Sequence, residues 1–493
     1  MAKKKTTKKT TKKKQAVPDA KGKHLVIVES PAKARTINRY LGDDYAVTSS
    51  VGHIRDLLAK APKGTKKPKD LPEWKKPVPG VDLEHDFKPT YEVLKGKNAL
   101  VTELKKAAKG AKDIWFASDL DREGEAIAWH LAELLGVDPK DAKRVIFNAI
   151  TKKQIEEAFQ HPHPINMDFV NAQQARRILD RVVGYQVSPL LWKRVAGGLS
   201  AGRVQSVAVR IIVEREKEIE AHIPDESWNI TGQFALNQSG VNGLSSSWAS
   251  FLSTVDERGK GPTRKSMIAF LAEHQCVEGT LVEVGGEPAK FTRPADCSDS
   301  IDNHKEKLLK MATLIGIDSP TIDDVENENG KGPAKHSLTI SGDVKEGTTY
   351  EVSDIAQKDN TVRPPAPFIT SSLQASASTV LGFGAKRTMR AAQALYEGVR
   401  IKGEGQVGLI TYMRTDSTHL SSDAIQAART YIDKSFGAAY LPDKANVYTS
   451  SNESAQEAHE AVRPTDVSRH PSSLPASLDE DQRRLYTLIW SRF

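Results

Sequence analysis

Three acids recur at alternate positions in Asp119-Leu120-Asp121-Arg122-Glu123. In an extended chain, side chains at i, i+2 and i+4 point to one side. Three carboxylates so placed repel one another unless a cation lies between them, and hard oxygen donors with few others nearby suit Mg2+. The plainer reading is an acidic, solvated loop. Glu29 is a fourth acid at the end of an apolar run; near a metal and a phosphate it would serve as a general acid, and otherwise as a cap or ion-pair partner. Lys33, four residues on, is suited to neutralise a phosphate or simply to face solvent.

A second constellation is Gly408-Leu409-Ile410-Thr411-Tyr412-Met413-Arg414-Thr415-Asp416-Ser417. In extended chain Tyr412 and Arg414 share a face. A phenol with a pKa of about 10 is a poor nucleophile at neutral pH, and a guanidinium or metal beside it stabilises the charge that develops. Arginine also grips phosphate with a planar fork. An isolated pair of this kind is more often a core tyrosine beside a surface arginine. His459 and Arg463, in Glu457-Ala458-His459-Glu460-Ala461-Val462-Arg463-Pro464, are candidates to meet a phosphate, although a lone histidine is more often structural. Arg176, Arg177, Asp180 and Arg181 share a helical stretch, where charge ordinarily marks a solvated face. Ser200-Ala201-Gly202-Arg203-Val204-Gln205-Ser206 is a small-residue turn with a donor on each flank, suited to close approach of a nucleic-acid strand.

The elements that must hold these residues alternate. Leu25-Val26-Ile27-Val28 reads as a buried strand leading into Glu29 and a helix toward Leu41. Ile114-Trp115-Phe116-Ala117 reads as a second, ending at the acids, with a helix after it that places Ile127, Leu131 and Leu134 on one stripe. Strands alternating with helices predict an α/β layer with a mostly parallel sheet, whose working groups gather at the carboxyl ends of the strands. Residues 60–80, rich in Lys and Pro, read as a surface loop. Residues 161–222 read as mainly helical, 228–365 as β-rich with long insertions, and helical patterning returns from Ser371.

The chain has 493 residues, enough for two to four domains, and a net charge of +8. Ten lysines and one aspartate give residues 1–23 a charge of +9, so the other 470 residues sum to −1. A tail of that composition is too polar to fold and attracts polyanions in a salt-sensitive way, or serves solubility alone. The apolar runs are too short to span a bilayer, and no apolar stretch follows the N-terminal lysines as in a secretory signal. The two cysteines, Cys276 and Cys297, form no CxxC pair, so neither a zinc knuckle nor a disulfide framework is expected, and a reducing, cytoplasmic setting fits. Neither a GxxxxGK[ST] nor a GxGxxG segment occurs, so no motif calls for a nucleotide cofactor.

Taken together and in this order, the motifs resemble those of the bacterial type IA DNA topoisomerases. Val28-Glu29-Ser30-Pro31-Ala32-Lys33 resembles their opening motif and Gly52-His53-Ile54-Arg55-Asp56-Leu57 their next segment. Asp119 to Glu125 is similar to the acidic motif of the Toprim domain, and Leu199 to Ser206 to the following block. Pro365-Ala366-Pro367-Phe368 with Leu373-Gln374, Ile410 to Ser417, and Glu457 to Pro464 resemble the active-site region and the block after it. The resemblance covers about 24–227 and 363–493.

The resemblance implies ATP-independent relaxation of negatively supercoiled DNA, with Tyr412 forming a 5′-phosphotyrosyl link. It implies Mg2+ on Asp119, Asp121 and Glu123, with Glu29 in the same site and protonating the leaving 3′ oxygen. Lys33 and Arg414 would steady the scissile phosphate, with His459 beside them. His53, Arg176, Asp180, Arg203, Gln205, Gln393, Glu397, Thr415, Asp416 and Arg463 would line the single-strand path. The implied architecture is multidomain α/β plus α: a Lys-rich tail (1–23), a Rossmann-like Toprim domain (24–160), a helical base (161–227), a β-rich arch (228–363) and a helical domain bearing Tyr412 (364–493). These would belong to a toroid, expected to be incomplete because family segments after residue 493 are missing and 236–360 match poorly. A nucleoid-associated monomer is expected. Rival readings are a Toprim primase or nuclease, which needs no Tyr-x-Arg-Thr-Asp-Ser block; a reverse gyrase, for which no helicase motif precedes residue 24; and a truncated remnant that binds or cleaves single strands without passing them.

Overall fold

The structure is a computed structural model. It describes residues 17–60, 77–223, 225–228, 231–237, 243–257, 259–289, 291–293, 300–328, 335–347, 350–448, 460–476 and 478–493. It divides into two compact units, residues 1–206 with 362–493, and residues 207–361.

The first unit is built on a four-stranded parallel sheet. Its strands are β1 (His24–Val28), β2 (Tyr45–Ser49), β7 (Asp113–Phe116) and β8 (Lys143–Arg144), in the order β2-β1-β7-β8. Strand β1 is central and its apolar run is buried on both faces, as a covered parallel sheet requires. Leu25 and Ile27 pack with Phe116 against Leu104 of α2 (Asn98–Gly110) and Ile127 and Leu131 of α3 (Arg122–Leu135). Val26 and Val28 point the other way, onto Ile37 of α1 (Pro31–Leu41) and Ile155 and Phe159 of α4 (Lys152–Gln160). The same core continues into Leu409, Ile410, Tyr412 and Met413, so the tyrosine segment is part of the packing under the sheet.

Between β2 and α2, β3 (Arg55–Leu57) pairs with β6 (Tyr91–Val93), and β4 (Val81–Asp82) with β5 (Lys88–Pro89). The long α5 (Met167–Arg194) packs on α3, and α6 (Arg203–Ala221) carries the chain across the boundary between the units.

In the second unit, β9 (Glu226–Trp228) pairs with β14 (Phe291–Arg293), β10 (Thr231–Ala235) with β11 (Cys276–Thr280), and β12 (Glu283–Val284) with β13 (Glu287–Pro288). A longer ribbon joins β15 (Ile317–Glu326) to β16 (His336–Val344). Helices α7 (Leu244–Leu252), α8 (Arg264–Glu273) and α9 (Ile301–Leu314) lie between strands, so this region is mixed where β-rich structure was expected. Two of these helices begin at Ser and Thr caps, Thr263 for α8 and Ser300 for α9, whose hydroxyls accept from backbone N–H groups three residues on. The chain returns to the first unit through α10 (Thr370–Leu381), α11 (Ala385–Glu397), the hairpin β17 (Val399–Ile401) and β18 (Gly405–Val407), α12 (Ser422–Phe436) and α13 (Glu480–Arg492).

Order begins before His24. Ala20 is fully buried and the Gly22 N–H bonds the Gly110 carbonyl, so the last part of the lysine-rich tail is folded onto the end of α2. Most of the expected 60–80 loop lies outside the described residues, as do Cys297 and His459. Cys276 is a buried free thiol. Among the described residues no helix is long and apolar enough to cross a membrane.

Candidate active site

The loop after β1 turns into α1 at Ser30, whose side chain accepts from the Lys33 N–H, with Pro31 opening the helix. One turn on, Lys33 points back toward the sheet. It is wholly buried, and its ammonium is bonded to both Glu29 and Asp119. Burial opposes its charge, yet the two carboxylates outweigh that and hold it above its ordinary value. Glu29 Oε2 also accepts from the Asp119 N–H at 3.1 Å, tying the ends of β1 and β7 together. Burial, reinforced by the charge of Asp119 and opposed by Lys33, raises Glu29 to about 7.

The acidic run is not extended. Asp121 is the N-cap of α3 and accepts from the Gly124 N–H at 2.8 Å, and Glu123 already lies in the first helical turn. The extended alternation therefore ends at Asp121, and the three carboxylates diverge. Asp119 takes Lys33. Asp121 Oδ2 accepts from the Tyr412 hydroxyl at 2.6 Å and lies 3.3 Å from Arg414 Nη1. Glu123 Oε2 accepts from Gln173 Nε2 at 3.1 Å and sits 3.6 Å from His53 Nε2; the His53 contact, more than burial, sets its carboxyl below the usual value. Gly124 permits this turn, because a Cβ there would collide with the Asp119 carbonyl.

Tyr412 is threaded rather than displayed. Its N–H bonds the Asn148 carbonyl at 2.8 Å, and the Thr411 N–H bonds the Arg463 carbonyl at 3.0 Å. Gly408 allows the approach, since a Cβ there would meet the carbonyls of Tyr396 at 2.8 Å and Ile150 at 3.1 Å. The tyrosine is 2% exposed. Burial first, then the charges of Asp119 and Asp121, push its phenol far above its ordinary value despite Arg414. It is therefore a protonated donor whose acceptor is a carboxylate, and a phosphate reaches it only when this packing opens.

The loop holding the acids hangs on Arg144, a residue that sequence reasoning missed. It is fully buried, its Nε bonds Glu125 at 2.8 Å, and its fork reaches the carbonyls of Ser118 at 3.0 Å and Asp119 at 2.6 Å. An Arg144→Lys substitution keeps the charge but loses the fork. It is expected to lower stability by about 1–3 kcal/mol, read as a shifted urea unfolding midpoint; an unchanged midpoint would remove Arg144 from this role.

The remaining candidates fall into three places. Arg177 grips Asp56 with two nitrogens and Arg181 reaches the carbonyls of Leu57 and Leu58 at 3.3 Å, stapling α5 to β3, so these are not a merely solvated face. Arg176 makes no ion pair among the described residues. Asp180 pairs with Arg203 at 3.1 Å, while Gln205 is exposed and bonds Ser200. A cavity of about 480 Å³ runs beside Glu123, lined by His53, Arg55, Gln173 and Arg176. On α11, Gln393 donates to Glu397 at 2.8 Å. Asp416 is exposed; Thr415 is buried and its N–H bonds Thr370. Arg463 is 7% exposed and its guanidinium is held by Glu460, so a strand reaches neither Thr415 nor Arg463 in this arrangement.

Among the described residues no three His, Cys, Asp or Glu side chains converge as a metal cage. The donor chemistry of Asp119, Asp121 and Glu123 nevertheless suits a hard divalent cation, with their present partners, Lys33, Tyr412 and His53, holding them apart.

A family model described as DNA topoisomerase matches residues 164–267 and 311–493, and one described as the Toprim domain, which binds divalent metal ions, matches 24–150. The chain is 44% identical over 489 residues to DNA topoisomerase 1 of Haemophilus influenzae, covering 96% of this chain and 46% of that protein. It is 44% identical over 484 residues to DNA topoisomerase 1 of Escherichia coli, with the same coverage. The chain thus spans about half the length of the curated relatives it matches. The solved structure of full-length topoisomerase I from Thermotoga maritima superimposes with a TM-score of 0.61 at 33% identity, covering 95% of this chain and 60% of that one.

Proposed function

Because the chain belongs to the DNA topoisomerase family, we propose that it is a type IA enzyme that cuts one DNA strand with Tyr412 and reseals it, relaxing negatively supercoiled DNA without a nucleotide. The observation that carries this reading is the hydrogen bond from Tyr412 to Asp121, with Arg414 on the same carboxylate oxygen. Tyr412 Oη attacks the phosphorus and forms a 5′-phosphotyrosyl link, and Asp121 is in place to take the phenolic proton. Arg414, with its side chain half exposed, grips the phosphate and opposes the charge that develops on it. Lys33 turns from its carboxylates to the same phosphate. Glu29, protonated in part near neutrality, gives its proton to the leaving 3′ oxygen and takes it back when that oxygen reverses the attack. The energy of the broken bond is kept in the phosphotyrosine, so resealing needs no further input.

Asp119, Asp121 and Glu123 would hold the divalent cation, Mg2+ in this reading, which supplies positive charge beside the phosphate when bound. His53, Arg176 and Asp180 border the cavity, Arg203 opens α6 and pairs with Asp180, and all four are assigned to the single-strand path with Gln205, Gln393, Glu397 and Asp416. DNA is the partner; the lysine-rich N-terminus adds salt-dependent attraction to it. Monomeric action at the nucleoid belongs to the same reading, as does a catalytic role for His459, which lies outside the described residues.

Relaxation of a negatively supercoiled plasmid with Mg2+ and no ATP tests the proposal. Topoisomers changing in steps of one link are expected. Nicking and resealing of single strands without any change of linking number would confine this chain to cleavage; neither activity would overturn the reading.

A further inference from the structure

Tyr396 lies on α11 and is wholly buried between the two halves of the candidate site. Its ring meets the Tyr412 ring edge-on, with centroids 5.2 Å apart at 63°. Lys33 Nζ lies 4.9 Å from its ring centroid. The ring therefore touches both the proposed nucleophile and the cation that neutralises Glu29 and Asp119.

Its hydroxyl makes no hydrogen bond of ordinary geometry among the described residues, although Asp119 lies within its reach and, after burial itself, makes the phenol harder to ionise. A buried hydroxyl without a partner costs free energy, and phenylalanine would fill the same space without that cost. The hydroxyl is thus explained by another state in which it is paired. Here Asp119 is bonded to Lys33. The proposed reaction takes Lys33 to the scissile phosphate, which would free the Asp119 oxygen that Lys33 now occupies for another donor, the other oxygen being left to the cation proposed above.

We propose that Tyr396 is a positioning residue for strand cleavage: its hydroxyl donates to Asp119 as Lys33 turns to the phosphate, while its ring keeps Tyr412 in line. This rests on the reading of Tyr412 and Lys33 given above. Because the hydroxyl is wholly buried, it is assigned to the rate of cleavage, with the affinity for the strand unchanged.

The test compares the parent chain with Tyr396→Phe and Tyr396→Leu in three measurements: unfolding midpoint, affinity for a single-stranded oligonucleotide, and single-turnover formation of the covalent adduct. For Tyr396→Phe the expected result is a midpoint equal to or above the parent's, parental affinity and roughly tenfold slower cleavage. Tyr396→Leu, lacking the ring as well, is expected to cleave more slowly still. Parental cleavage by Tyr396→Phe would overturn the proposal while leaving the role of Tyr412 intact. A lowered midpoint in Tyr396→Phe would also overturn it, by showing that the hydroxyl supports the resting fold. If the parent itself forms no adduct at Tyr412, the functional reading fails and this proposal fails with it.

Discussion

Replacing Lys33 by methionine is expected to lower stability at pH 8 by about 3–5 kcal/mol, the usual cost of stranding buried charges, and to slow cleavage by about 10²–10³. Lys33 is fully buried and its ammonium is shared by Glu29 and Asp119, themselves joined through the Asp119 N–H. Methionine fills similar volume, so packing changes little and electrostatics decide the effect. Two adjoining buried carboxylates without a cation cannot both stay ionised, and one must take up a proton. The deficit should therefore shrink as pH falls toward 5. Lys33 itself titrates above its ordinary value. The stability it confers is complete below the unfolded value, 10.5, and is lost only as pH rises through the folded one. Denaturant unfolding of parent and variant at both pH values measures this. A loss below about 1 kcal/mol that does not change with pH would mean that the cluster is solvated in solution.

The second large effect concerns Glu29. Its acid form is held up to about 7, chiefly by burial, so protonation changes within the working range. Cleavage, which uses the protonated acid, should fall as pH rises through about 7; resealing, which uses the carboxylate, should fall as pH drops through it. Glu29→Gln should slow both by about 10²–10⁴ and flatten both profiles. The same shift bears on stability with the opposite sign from a depressed acid. The folded state favours protonated Glu29, so its contribution is best below 4.5 and is given up as pH rises to about 7. Single-turnover rates in each direction across that range provide the check, and profiles unchanged by Glu29→Gln would assign the proton transfer elsewhere.

The sheet was legible because β1 and β7 are short apolar runs followed directly by polar residues, the pattern of a doubly covered parallel strand. Glu29, Asp119 and Asp121 were legible as strand-end acids for the same reason. The divergence of Glu123 was not, because whether the chain stays extended after Asp119 depends on where α3 begins, and Asp121 is as good a cap as it is a ligand. Arg144 and Tyr396 carried no local signal. Arg144 is a lone arginine on a two-residue strand, and Tyr396 falls with Ala392 and Leu395 on an apolar helical stripe that reads as core. Their roles come from contacts to residues far away in sequence, Asp119 and Tyr412 among them. Thr415 and Arg463 had motif positions that suggested DNA; Thr415 is held by Thr370, far off in sequence, whereas the Glu460–Arg463 pair is local and spacing does not show that it buries the guanidinium. The mixed character of 228–361 escaped because its helices are weakly periodic and two of them, α7 and α8, are short.

The central claim is that Tyr412 is the nucleophile and that its phenol gives up its proton within the Asp121 pair. Covalent trapping on a labelled single-stranded oligonucleotide, with Mg2+ present and the reaction stopped by detergent, tests it most directly. An adduct joined through the 5′ phosphate is expected for the parent, none for Tyr412→Phe, and a free 3′ hydroxyl on the released fragment. An adduct that persists in Tyr412→Phe, or no adduct from a parent chain that still binds the oligonucleotide, would contradict it.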